Sequence, residues 1–340
     1  MEELPAYSVV VVTYNHGTTL PACLAALNRL QPAPDRVVLV DNASTDGSTE
    51  IAEVHAGAIP LQLIRRDSNT GYSAASNTGI ARTASPWLLS LNPDCAPQPN
   101  FVASLLKSIQ ARPERECIGS ATGKLLRASG NSLKTSTTID AAGMVVTASG
   151  RHFDRGAGST DEGQFDRPAW VFGGTGAATL FRREALTDVA YPDGEIFASS
   201  FFAYREDAEL AWRLQWRGWR CLYDPQAVAA HQRGFQPEGG RRGHDAINRL
   251  SVQNRFLLRL HCADLGWHLG CLPWWLFRDL AVVGACCTVE RGSLAALGDV
   301  WRLRRDGAAR RRWVMSRRTE SSRQLRRWFR KRGWTREMTI

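Results

Sequence analysis

The chain of 340 residues is 44% hydrophobic and 22% charged, with 43 Lys and Arg against 33 Asp and Glu. These proportions exclude a disordered or collagen-like chain, and the length excludes a small stapled scaffold. Residues 301–340 carry 15 basic and three acidic side chains, a net charge of +12, which leaves −2 for residues 1–300 out of a total of +10. We therefore predict a nearly neutral body, of one large domain or two, with a cationic C-terminal tail.

The cysteines and the first residues bear on the cellular compartment. The eight cysteines are Cys23, Cys95, Cys117, Cys221, Cys262, Cys271, Cys286 and Cys287. None forms a CxxC pair or has a metal-type spacing with histidine, which is typical of reduced thiols in a cytosolic protein. The segment MEELPAYSVVVV is acidic and lacks a basic n-region, so we expect no secretory signal.

Short apolar runs alternate with helix-like segments through the first hundred residues. The runs are Ser8–Thr13, Arg36–Val40, Leu61–Ile64 and Trp87–Leu91, and the segments between them are Leu20–Leu30, Gly47–Ala56 and Tyr72–Thr83. Three of the runs are almost continuous in Val and Leu, as strands covered on both faces should be. The alternation predicts an α/β fold with a parallel sheet.

Polar residues follow each of these predicted strands. They are residues 13–15 (TYN), 41–47 (DNASTDG), 69–73 (NTGYS) and 92–94 (NPD). Ligands of parallel sheets bind beyond the carboxyl ends of the strands, near a switch point in strand order. Ordinary turn and cap chemistry is the favoured interpretation for Ser44, Asp46 and Gly47. The carboxylates of Asp41 and Asp94 stand directly at strand ends, which favours a ligand-binding role.

Residues 115–180 are rich in Gly, Ser and Thr, and a second helical block begins near Phe201. A helix there would place Asp207 on a face with apolar residues and Glu206, Glu209, Arg213 and Arg217 on the next face, where Glu209 and Arg213 can pair at i,i+4. Asp207 alone lacks a structural use in this arrangement. It is therefore either a buried cap or a catalytic base whose pKa is raised by partial desolvation.

Six stretches between residues 8 and 235 form an ordered series. They are VVVVTYNHG, VVLVDNASTDGS, NTGYSAASNTGI, LLSLNPD, FGGTGAATLFRREAL and YREDAELAWRLQWRGWRCLYDPQAVAAHQ. This series resembles family 2 glycosyltransferases of the GT-A fold, most closely the bacterial rhamnosyltransferase-like branch. The resemblance implies a Rossmann-like nucleotide-diphospho-sugar transferase domain over residues 1–260, with a nucleotide-sugar-binding half (1–115) and an acceptor and catalytic half (116–260).

The resemblance also implies a donor site at the strand ends. Asp41 would accept a hydrogen bond from the pyrimidine ring, and Gly71 would allow close approach of the backbone. The implied donor-site residues are Thr13, Tyr14, Asn15, Asp41, Asn69, Gly71, Asn77, Asn92 and Asp94.

A divalent metal, Mg²⁺ or Mn²⁺, is the cofactor that the resemblance implies. Asp94 stands at the last position of the family's Asp-x-Asp signature, whose first position is here Asn92. Asp94 would hold the metal against the donor diphosphate through oxygen ligands and several waters. His231 matches a histidine that completes this site in many relatives; a core histidine is the equal alternative.

The acceptor side is expected around Asp207. A hydroxyl acceptor needs a base to take its proton, and Asp207 is our candidate, giving single displacement with inversion, with Glu206 as the rival. The glycine-rich stretch with Gly173 and Gly174 lacks the Lys-Ser/Thr ending of a P-loop and, by resemblance, lies between donor and acceptor sites. Trp170 would stack on a sugar there; tight turns and core packing are the alternatives.

The C-terminal tail, residues 261–340, is predicted to be a basic amphipathic extension that associates with the membrane. Residues 269–289 are nearly long enough to span, but Pro273, Arg278 and Asp279 interrupt them, which favours an interfacial segment or a core helix. Tryptophans and other apolar residues interleave with the arginines beyond, as on a helix bound to anionic lipid. Nucleic acid is the competing partner, which we do not expect, and a solvated helix is the structural alternative.

We therefore predict a metal-dependent inverting glycosyltransferase that moves a sugar to a hydroxyl of a glycan or lipid-linked acceptor. The first hypothesis for the sugar is rhamnose, donated by dTDP-rhamnose. A UDP-hexose or UDP-N-acetylhexosamine transferase is the second hypothesis, and a nucleotide-binding membrane scaffold without turnover is the third. The expected location is the cytoplasmic face of a bacterial plasma membrane, in the synthesis of cell-surface polysaccharide.

Overall fold

The computed structural model describes residues 3–233 and 245–330 of the chain. Its first four strands are Tyr7–Thr13 (β1), Arg36–Asp41 (β2), Leu61–Arg65 (β3) and Trp87–Leu91 (β4), and they alternate with helices Leu20–Leu27 (α1), Ser48–His55 (α2) and Gly71–Ile80 (α3). All seven predicted elements are present, with ends within about one helical turn of those expected.

These four strands form the parallel centre of a ten-stranded sheet. β1 pairs in parallel with β2 on one side and with β4 on the other, and β3 pairs in parallel with β2. The chain thus moves outward from β1 in both directions, so β1 lies at a switch point in strand order. The predicted parallel α/β arrangement is confirmed, and the carboxyl ends of these strands share one edge.

The weakly patterned region after residue 115 supplies the rest of this sheet and a small second sheet. The further strands are β5 (Cys95–Pro97), β6 (Ile118–Ser129), β7 (Lys134–Ala141), β8 (Met144–Thr147), β9 (His152–Asp154), β10 (Ala169–Val171), β11 (Ala178–Arg182), β12 (Arg220–His231) and β13 (Phe329–Arg330). The main sheet runs in the order β10-β12-β6-β11-β4-β1-β2-β3, and β13-β8-β9 form the second. β11 lies antiparallel between β4 and β6, which joins the two halves.

Helices cover both faces of the main sheet and extend beyond its edge. The remaining helices are α4 (Phe101–Gln110), α5 (Arg183–Val189), α6 (Glu206–Trp216), α7 (Asp245–Cys262), α8 (Leu265–Gly270), α9 (Leu272–Thr288), α10 (Ala295–Arg317) and α11 (Ser322–Arg326). Alternate residues of β1 enter different cores: Val9 and Val11 belong to one cluster, Val10 and Val12 to another. The nearly continuous Val and Leu strands are therefore buried on both faces, as predicted.

The C-terminal helices belong to the folded body, which corrects the predicted separate tail. A third hydrophobic cluster joins Phe172 and Trp212 to Trp267, Val314 and Phe329. The predicted boundary at residue 260 falls inside α7, and β13 pairs with β8. Of the aromatic residues expected to face lipid, Trp313 and Trp328 pack against this cluster, Trp301 is exposed, and Trp334 lies outside the described residues.

Several arginines of α10 and the following turn are paired with acidic residues of the body. Arg310 contacts Asp193, Glu195 and Asp306, Arg317 contacts Asp188, and Arg318 contacts Asp264. The positive charge of the tail is therefore partly used in docking it onto the protein.

The exposed apolar surface lies instead on α8 and α9. Side chains there that are large, hydrophobic and at least one-third exposed are Leu265, Leu269, Leu272, Trp274, Leu276, Phe277 and Leu280, with Phe277 at 77% exposure. We call this set the apolar face. Several large exposed apolar side chains on two successive helices are typical of an interaction site. Within the described residues no single helix has the length and apolar character to cross a bilayer; only α9 and α10 together do, and they are bent by 119°.

A buried ion pair holds α6 against the body, and its removal should be costly. The carboxylate of Glu209 and the guanidinium of Arg213 are 2.8 Å apart and almost inaccessible, and Arg213 also donates to the carbonyls of Val189 and Ile196. Although burial alone would raise it, the charge of Arg213 and the hydrogen bond to His261 lower the pKa of Glu209 to about 2. The predicted i,i+4 pair is confirmed.

Replacing Arg213 with methionine should lower the free energy of unfolding by about 3–5 kcal/mol, because it leaves the Glu209 charge buried without its cation. Chemical denaturation measures this change. The matched control is R65M, which breaks the exposed Arg65–Glu53 pair and should cost under about 1 kcal/mol. Equal losses in both variants would contradict the expected importance of burial.

Candidate active site

The ends of β1 and β2 bring together Thr13 and Asp41, which are register partners in the sheet. Both side chains are buried. Asp41 accepts a hydrogen bond on Oδ2 from the Ser44 amide at 3.2 Å, whereas its Oδ1 and the Thr13 hydroxyl have no hydrogen-bond partner among the described residues. Buried polar atoms are normally satisfied, so these two oxygens favour a polar ligand.

The two loops that follow these strands are tied to each other. Asn15, which has a positive φ of 58°, accepts a hydrogen bond on its side-chain oxygen from the Thr45 amide at 2.8 Å and donates its own amide to Ser44 Oγ at 2.9 Å. Tyr14 beside it is 44% exposed. Ser44 therefore has the structural role that turn chemistry predicts, and the exposed Tyr14 ring lies beside the Thr13–Asp41 pair.

A second pair of loops is joined through amide side chains. Asn42 donates to Asn69 Oδ1 at 2.8 Å, and the Gly71 amide donates to the same oxygen at 2.9 Å. Gly71 has a φ of +83°, and a Cβ there would lie 2.5 Å from the Phe202 carbonyl oxygen. The close approach that Gly71 permits in this structure is thus to the backbone preceding α6.

Asn77 occupies a different place from the strand ends. Its side-chain oxygen accepts the amides of Ile196 and Phe197 at 3.1 and 2.9 Å, and its Nδ2 donates to the Phe197 carbonyl at 2.7 Å. These three hydrogen bonds fasten α3 to the segment before α6. The structure therefore gives Asn77 a scaffolding contact, and its predicted contact with the donor stays a prediction.

Asp94 and His231 meet at the edge of the main sheet, where β12 pairs with β5. His231 Nε2 lies 3.4 Å from Asp94 Oδ1, and its Nδ1 lies 2.7 Å from Asp140 Oδ2. Although burial lowers it, the hydrogen bond with Asp140 and the nearby carboxylate of Asp94 raise the pKa of His231 to about 9. A carboxylate behind a histidine that faces a second carboxylate is the arrangement found around metal-ligating histidines.

These residues suit a divalent cation whose remaining ligands come from the donor diphosphate and water. Asp94 Oδ1 is buried and has no hydrogen-bond partner among the described residues. No group of three or more potential His, Cys, Asp or Glu ligands occurs in the part of the chain that the structure describes. Mg²⁺ is commonly held by one or two carboxylates together with substrate phosphates, so one carboxylate and one histidine are sufficient. Asn92 is half-buried beside Asp94.

A chain of charges leads from this pair toward α6. Arg233 donates through Nε to Asp140 Oδ1 at 3.0 Å and through Nη2 to Asp154 Oδ2 at 2.5 Å. The charge of Asp154 in turn is one of the influences that raise the pKa of Asp207, after burial. The histidine that faces Asp94 and the candidate base therefore belong to one electrostatic network.

Asp207 is the least buried residue of α6, and every other residue of that helix is buried. Its Oδ2 accepts a hydrogen bond from the Gly176 amide at 3.0 Å and its Oδ1 from the Ala208 amide at 2.7 Å. The argument that singled out Asp207 by an apolar helix face was wrong, because all faces of α6 are covered. What distinguishes Asp207 is that it is partly exposed, whereas its neighbours on α6 are buried.

Glu206 is more deeply buried than its neighbour, with 7% exposure, and its Oε2 has no hydrogen-bond partner among the described residues. Burial, followed by the charge of Asp207, raises the pKa of Glu206 to about 8. Burial and the charge of Asp154 raise the pKa of Asp207 to about 6, although the two backbone N–H groups oppose the shift. Burial raises the pKa of Glu206 further than that of the partly exposed Asp207, so Asp207 ionises more readily near neutral pH and is the better candidate base.

The backbone before α6 is held in an unusual conformation. Phe202, Tyr204 and Arg205 all have positive φ, at 61°, 71° and 73°. Asn254 of α7 donates its buried side-chain amide to the carbonyls of Phe201, Ala203 and Tyr204 at 2.7–2.8 Å. Strain of this kind persists only where surrounding contacts enforce it, and it clusters at functional sites.

The glycines of the 172–177 stretch have different roles. A Cβ on Gly173 would lie 2.4 Å from Ala211 Cβ, and one on Gly174 would lie 2.1 Å from Thr179 Oγ1, so both are required by packing. Gly176 is the residue of this stretch that contacts the candidate base, through its amide. Trp170 is 8% exposed, belongs to the first core cluster and lies under the Arg220 guanidinium, which places it in the core rather than on an open sugar site.

Sequence reasoning missed Asp140, Arg233, Gly176 and Asn254. The first two lie outside the predicted strand ends, and Asn254 lies on a helix whose role depends on the loop it holds. Gly176 alone carried a usable signal, because it belongs to a motif that was already singled out.

Comparison with known proteins agrees with this geometry. The family described as Glycosyl transferase family 2 matches residues 8–189. The N-acetylglucosaminyl-diphospho-decaprenol L-rhamnosyltransferase of Mycobacterium tuberculosis (strain ATCC 25618 / H37Rv) is 28% identical over 299 residues, which cover 81% of this chain and 90% of that protein. The poly-beta-1,6-N-acetyl-D-glucosamine synthase of Staphylococcus aureus (strain COL) is 22% identical over 229 residues, 67% of this chain and 50% of that protein.

Solved structures share the fold at low identity. The mannosyltransferase PcManGT from Pyrobaculum calidifontis, in complex with GDP-Man and Mn²⁺, has a TM-score of 0.51 at 19% identity and covers 93% of this chain and 86% of that one. S. aureus TarS 1-349 in complex with UDP-GlcNAc has a TM-score of 0.52 at 16% identity, covering 92% and 90%. The matched family covers more than half of the chain and includes the donor-side strand ends, so this protein is a glycosyltransferase that belongs to family 2.

Proposed function

We propose that this glycosyltransferase moves a rhamnosyl group from dTDP-rhamnose to a hydroxyl of a lipid-linked glycan, with inversion at the anomeric carbon and with a divalent metal. The main supporting observation is the partly exposed side chain of Asp207, whose two oxygens accept backbone hydrogen bonds and which is linked by charges to the Asp94–His231 pair. The choice of rhamnose and of a lipid diphosphate acceptor is supported by the name of the mycobacterial relative.

The donor is expected along the carboxyl ends of β1, β2 and β4. Asp41 Oδ1 and the Thr13 hydroxyl provide buried polar atoms for the base of the nucleotide. Asp94 and His231 would hold the metal, and Asp140 behind His231 would fix the ring orientation. A bound divalent cation neutralises the negative charge that develops on the nucleotide diphosphate as it leaves.

Asp207 supplies the remaining chemistry. The acceptor hydroxyl is a poor nucleophile until its proton is removed, and an ionised carboxylate with a raised pKa is suited to accept that proton. The hydrogen bonds from Gly176 and Ala208 orient both oxygens. One attack by the hydroxyl on the face opposite the leaving group gives inversion.

A UDP-N-acetylhexosamine donor is the second candidate, and the similarity to the poly-beta-1,6-N-acetyl-D-glucosamine synthases favours it. The fold, metal pair and base would be the same, and only the pocket for the sugar would differ.

A donor screen decides between these candidates. We expect purified protein with Mg²⁺ or Mn²⁺ to release dTDP from dTDP-rhamnose, and to glycosylate a GlcNAc-diphospho-lipid, faster than it uses UDP-GlcNAc or UDP-glucose. Product masses and nucleotide release provide the readout. Turnover of UDP-sugars alone would favour the second candidate, and no turnover of any nucleotide sugar would overturn the proposal.

We further propose that the enzyme works on the cytoplasmic surface of the bacterial plasma membrane, in synthesis of cell-surface polysaccharide. The apolar face of α8 and α9 supports this location, because exposed Leu, Trp and Phe side chains beside arginines are typical of interfacial segments. The proposal thus keeps the membrane contact within the predicted tail but limits it to α8 and α9, where residues 269–289 were expected to be an interfacial segment or a core helix, and leaves out the basic α10.

Replacing Phe277 and Leu280 together with serine should release most of the protein from vesicles of mixed neutral and anionic phospholipids. Each exposed apolar side chain contributes about 1.5–3 kcal/mol when it is buried in lipid. Vesicle sedimentation measures the bound fraction. The matched control is V54S, on α2, whose side chain is 79% exposed. Equal sedimentation of both variants would contradict this membrane contact.

A further inference from the structure

Arg255, on α7, is a buried cation whose charge is incompletely matched. Its side chain is 4% exposed, and its Nη1 is buried without a hydrogen-bond partner among the described residues. It lies one residue after Asn254, which holds the strained backbone before the base. Burying an unpaired charge is unfavourable in free energy, so binding of an anion beside Arg255 would stabilise it.

The groups around Arg255 add to this positive charge. Burial and the charges of Arg205 and Arg278 lower the pKa of Arg255 to about 9, so it remains a cation at neutral pH. The nearby carboxylate, Asp279, is already paired with Arg259. Repulsion among guanidinium groups in a low-dielectric site is relieved when a multivalent anion binds.

The neighbouring histidine, His152, adds neither a positive nor a negative charge to this cluster. Burial and the charges of Arg205, Arg151 and Arg255 hold the pKa of His152 well below its usual value, so its ring is neutral. Arg205 Nη1 lies 3.3 Å from its Nδ1.

This cluster has links both to Asp207 and to the apolar face. Arg205 directly precedes α6, and its charge is among the influences on the pKa of Asp207, after burial and the Asp154 charge. Arg278, half-buried on α9, has an Nε that is buried without a partner among the described residues. Trp274, one turn before Arg278 on the same side of α9, belongs to the apolar face.

We propose that Arg255 and Arg278 form a subsite for the diphosphate group of a lipid-linked acceptor, with the lipid along the apolar face of α8 and α9 and the sugar toward Asp207. The inference rests on the proposed function for the class of acceptor. Guanidinium groups bind phosphate oxygens in forked pairs, and a diphosphate offers enough oxygens for both. The sugar, the diphosphate and the lipid would then follow one another from Asp207 to the protein surface.

Binding of farnesyl diphosphate to the full chain tests this subsite without requiring sugar transfer. The titration is done in neutral detergent with saturating dTDP and Mn²⁺, so that the donor site is occupied. We expect R278Q and R255M each to weaken binding by roughly ten-fold or more, because hydrogen bonds to a charged group are lost. R278K should lose less, since it keeps the charge, and R82Q, at an exposed arginine after α3, should bind like wild type.

Farnesol, which lacks the diphosphate, separates this subsite from the lipid surface. Its weaker binding should be the same in wild type, R278Q and R255M. Equal loss of affinity for farnesol and farnesyl diphosphate, or no loss for either, would overturn the proposal. A competition with phosphatidylglycerol provides a further check. If this phospholipid displaces labelled farnesyl diphosphate as effectively as unlabelled farnesyl diphosphate does, the proposal is overturned, because the arginines would then bind phospholipid headgroups.

Two further measurements complete the test. Thermal unfolding checks that each variant is folded; if R255M is not, R278Q and R278K carry the test, because Arg278 is half-buried. A protein that transfers no sugar from any donor overturns the proposed function, yet still gives a binding result for the subsite. Normal transfer with unchanged diphosphate binding in R278Q overturns the subsite alone.

Discussion

Replacing Asp207 with asparagine should lower kcat by about 10²–10⁴-fold, the usual contribution of a positioned general base. Asparagine has nearly the same shape and keeps an oxygen that accepts the Gly176 N–H, but it cannot take a proton from the acceptor. Binding of the nucleotide should change little, because the donor residues lie at the strand ends. Initial rates together with calorimetric titration of UDP or dTDP measure the two effects separately.

The matched control for this variant is Glu206→Gln at the adjacent position. Glu206 is buried and holds its proton at neutral pH, so glutamine replaces a group that is already uncharged. We expect kcat to remain within several-fold of wild type. Strong loss of turnover in E206Q with normal turnover in D207N would exchange the roles of the two residues.

The pH dependence of kcat provides an independent check on Asp207. Burial and the Asp154 charge raise its pKa to about 6, and only the deprotonated carboxylate accepts a proton. Turnover should therefore fall as the pH is lowered through about 6 and level off above it. The D207N variant should lose this acidic limb, whereas E206Q should keep it, because Glu206 is already protonated in that range. A wild-type rate independent of pH between about 5 and 8 would contradict the assignment.

Replacing Asp94 with asparagine should abolish the metal dependence of donor binding and lower kcat by about 10²-fold or more, since a bound cation supplies several kcal/mol of charge stabilisation. Asp94 Oδ1 faces His231 Nε2 and is buried without a partner among the described residues. In wild type, added Mn²⁺ should tighten binding of the nucleotide sugar. In D94N, titrations with and without Mn²⁺ should coincide.

Asp140→Asn should affect the same metal site less severely than Asp94→Asn, because Asp140 contacts His231 and would not itself be a ligand. Loss of the carboxylate behind a ligating histidine typically weakens metal affinity by about 10–100-fold. We therefore expect D140N to need more Mn²⁺ for half-maximal activity but to approach the wild-type rate when the metal is saturating. Full wild-type activity in the presence of a strong chelator would show that neither residue acts through a metal.

The predicted donor half could be read from the sequence because β1, β2 and β4 are buried on both faces. A short, continuous Val and Leu run such as that of β1 favours a buried strand, and a polar residue directly after it marks the strand end. Asp41 and Asp94 could be placed at one edge from this rule alone. Gly71 and Asn77 were also singled out, but the structure shows contacts with Phe202 and Phe197 that depend on a segment more than a hundred residues away.

The acceptor half was harder because its order depends on contacts that are distant in sequence. Asp140 lies on β7, yet it matters because β12 brings His231 and the turn after it brings Arg233. Helical periodicity failed for α6, because a helix buried on all sides has no polar face to recognise. The separateness of the cationic tail was misjudged for a related reason: several of its arginines pair with acidic residues of the body that composition cannot locate.

The third hydrophobic cluster sets an order of events during synthesis of the chain. Phe172 packs edge-on against Trp328 and Phe329, and β13 closes the small sheet by pairing with β8. The ribosome delivers the predicted donor half first, and its strands can find their neighbours early, whereas Phe172 must wait for partners about 150 positions later. A prematurely terminated chain would thus retain nucleotide-binding strands without a completed acceptor side.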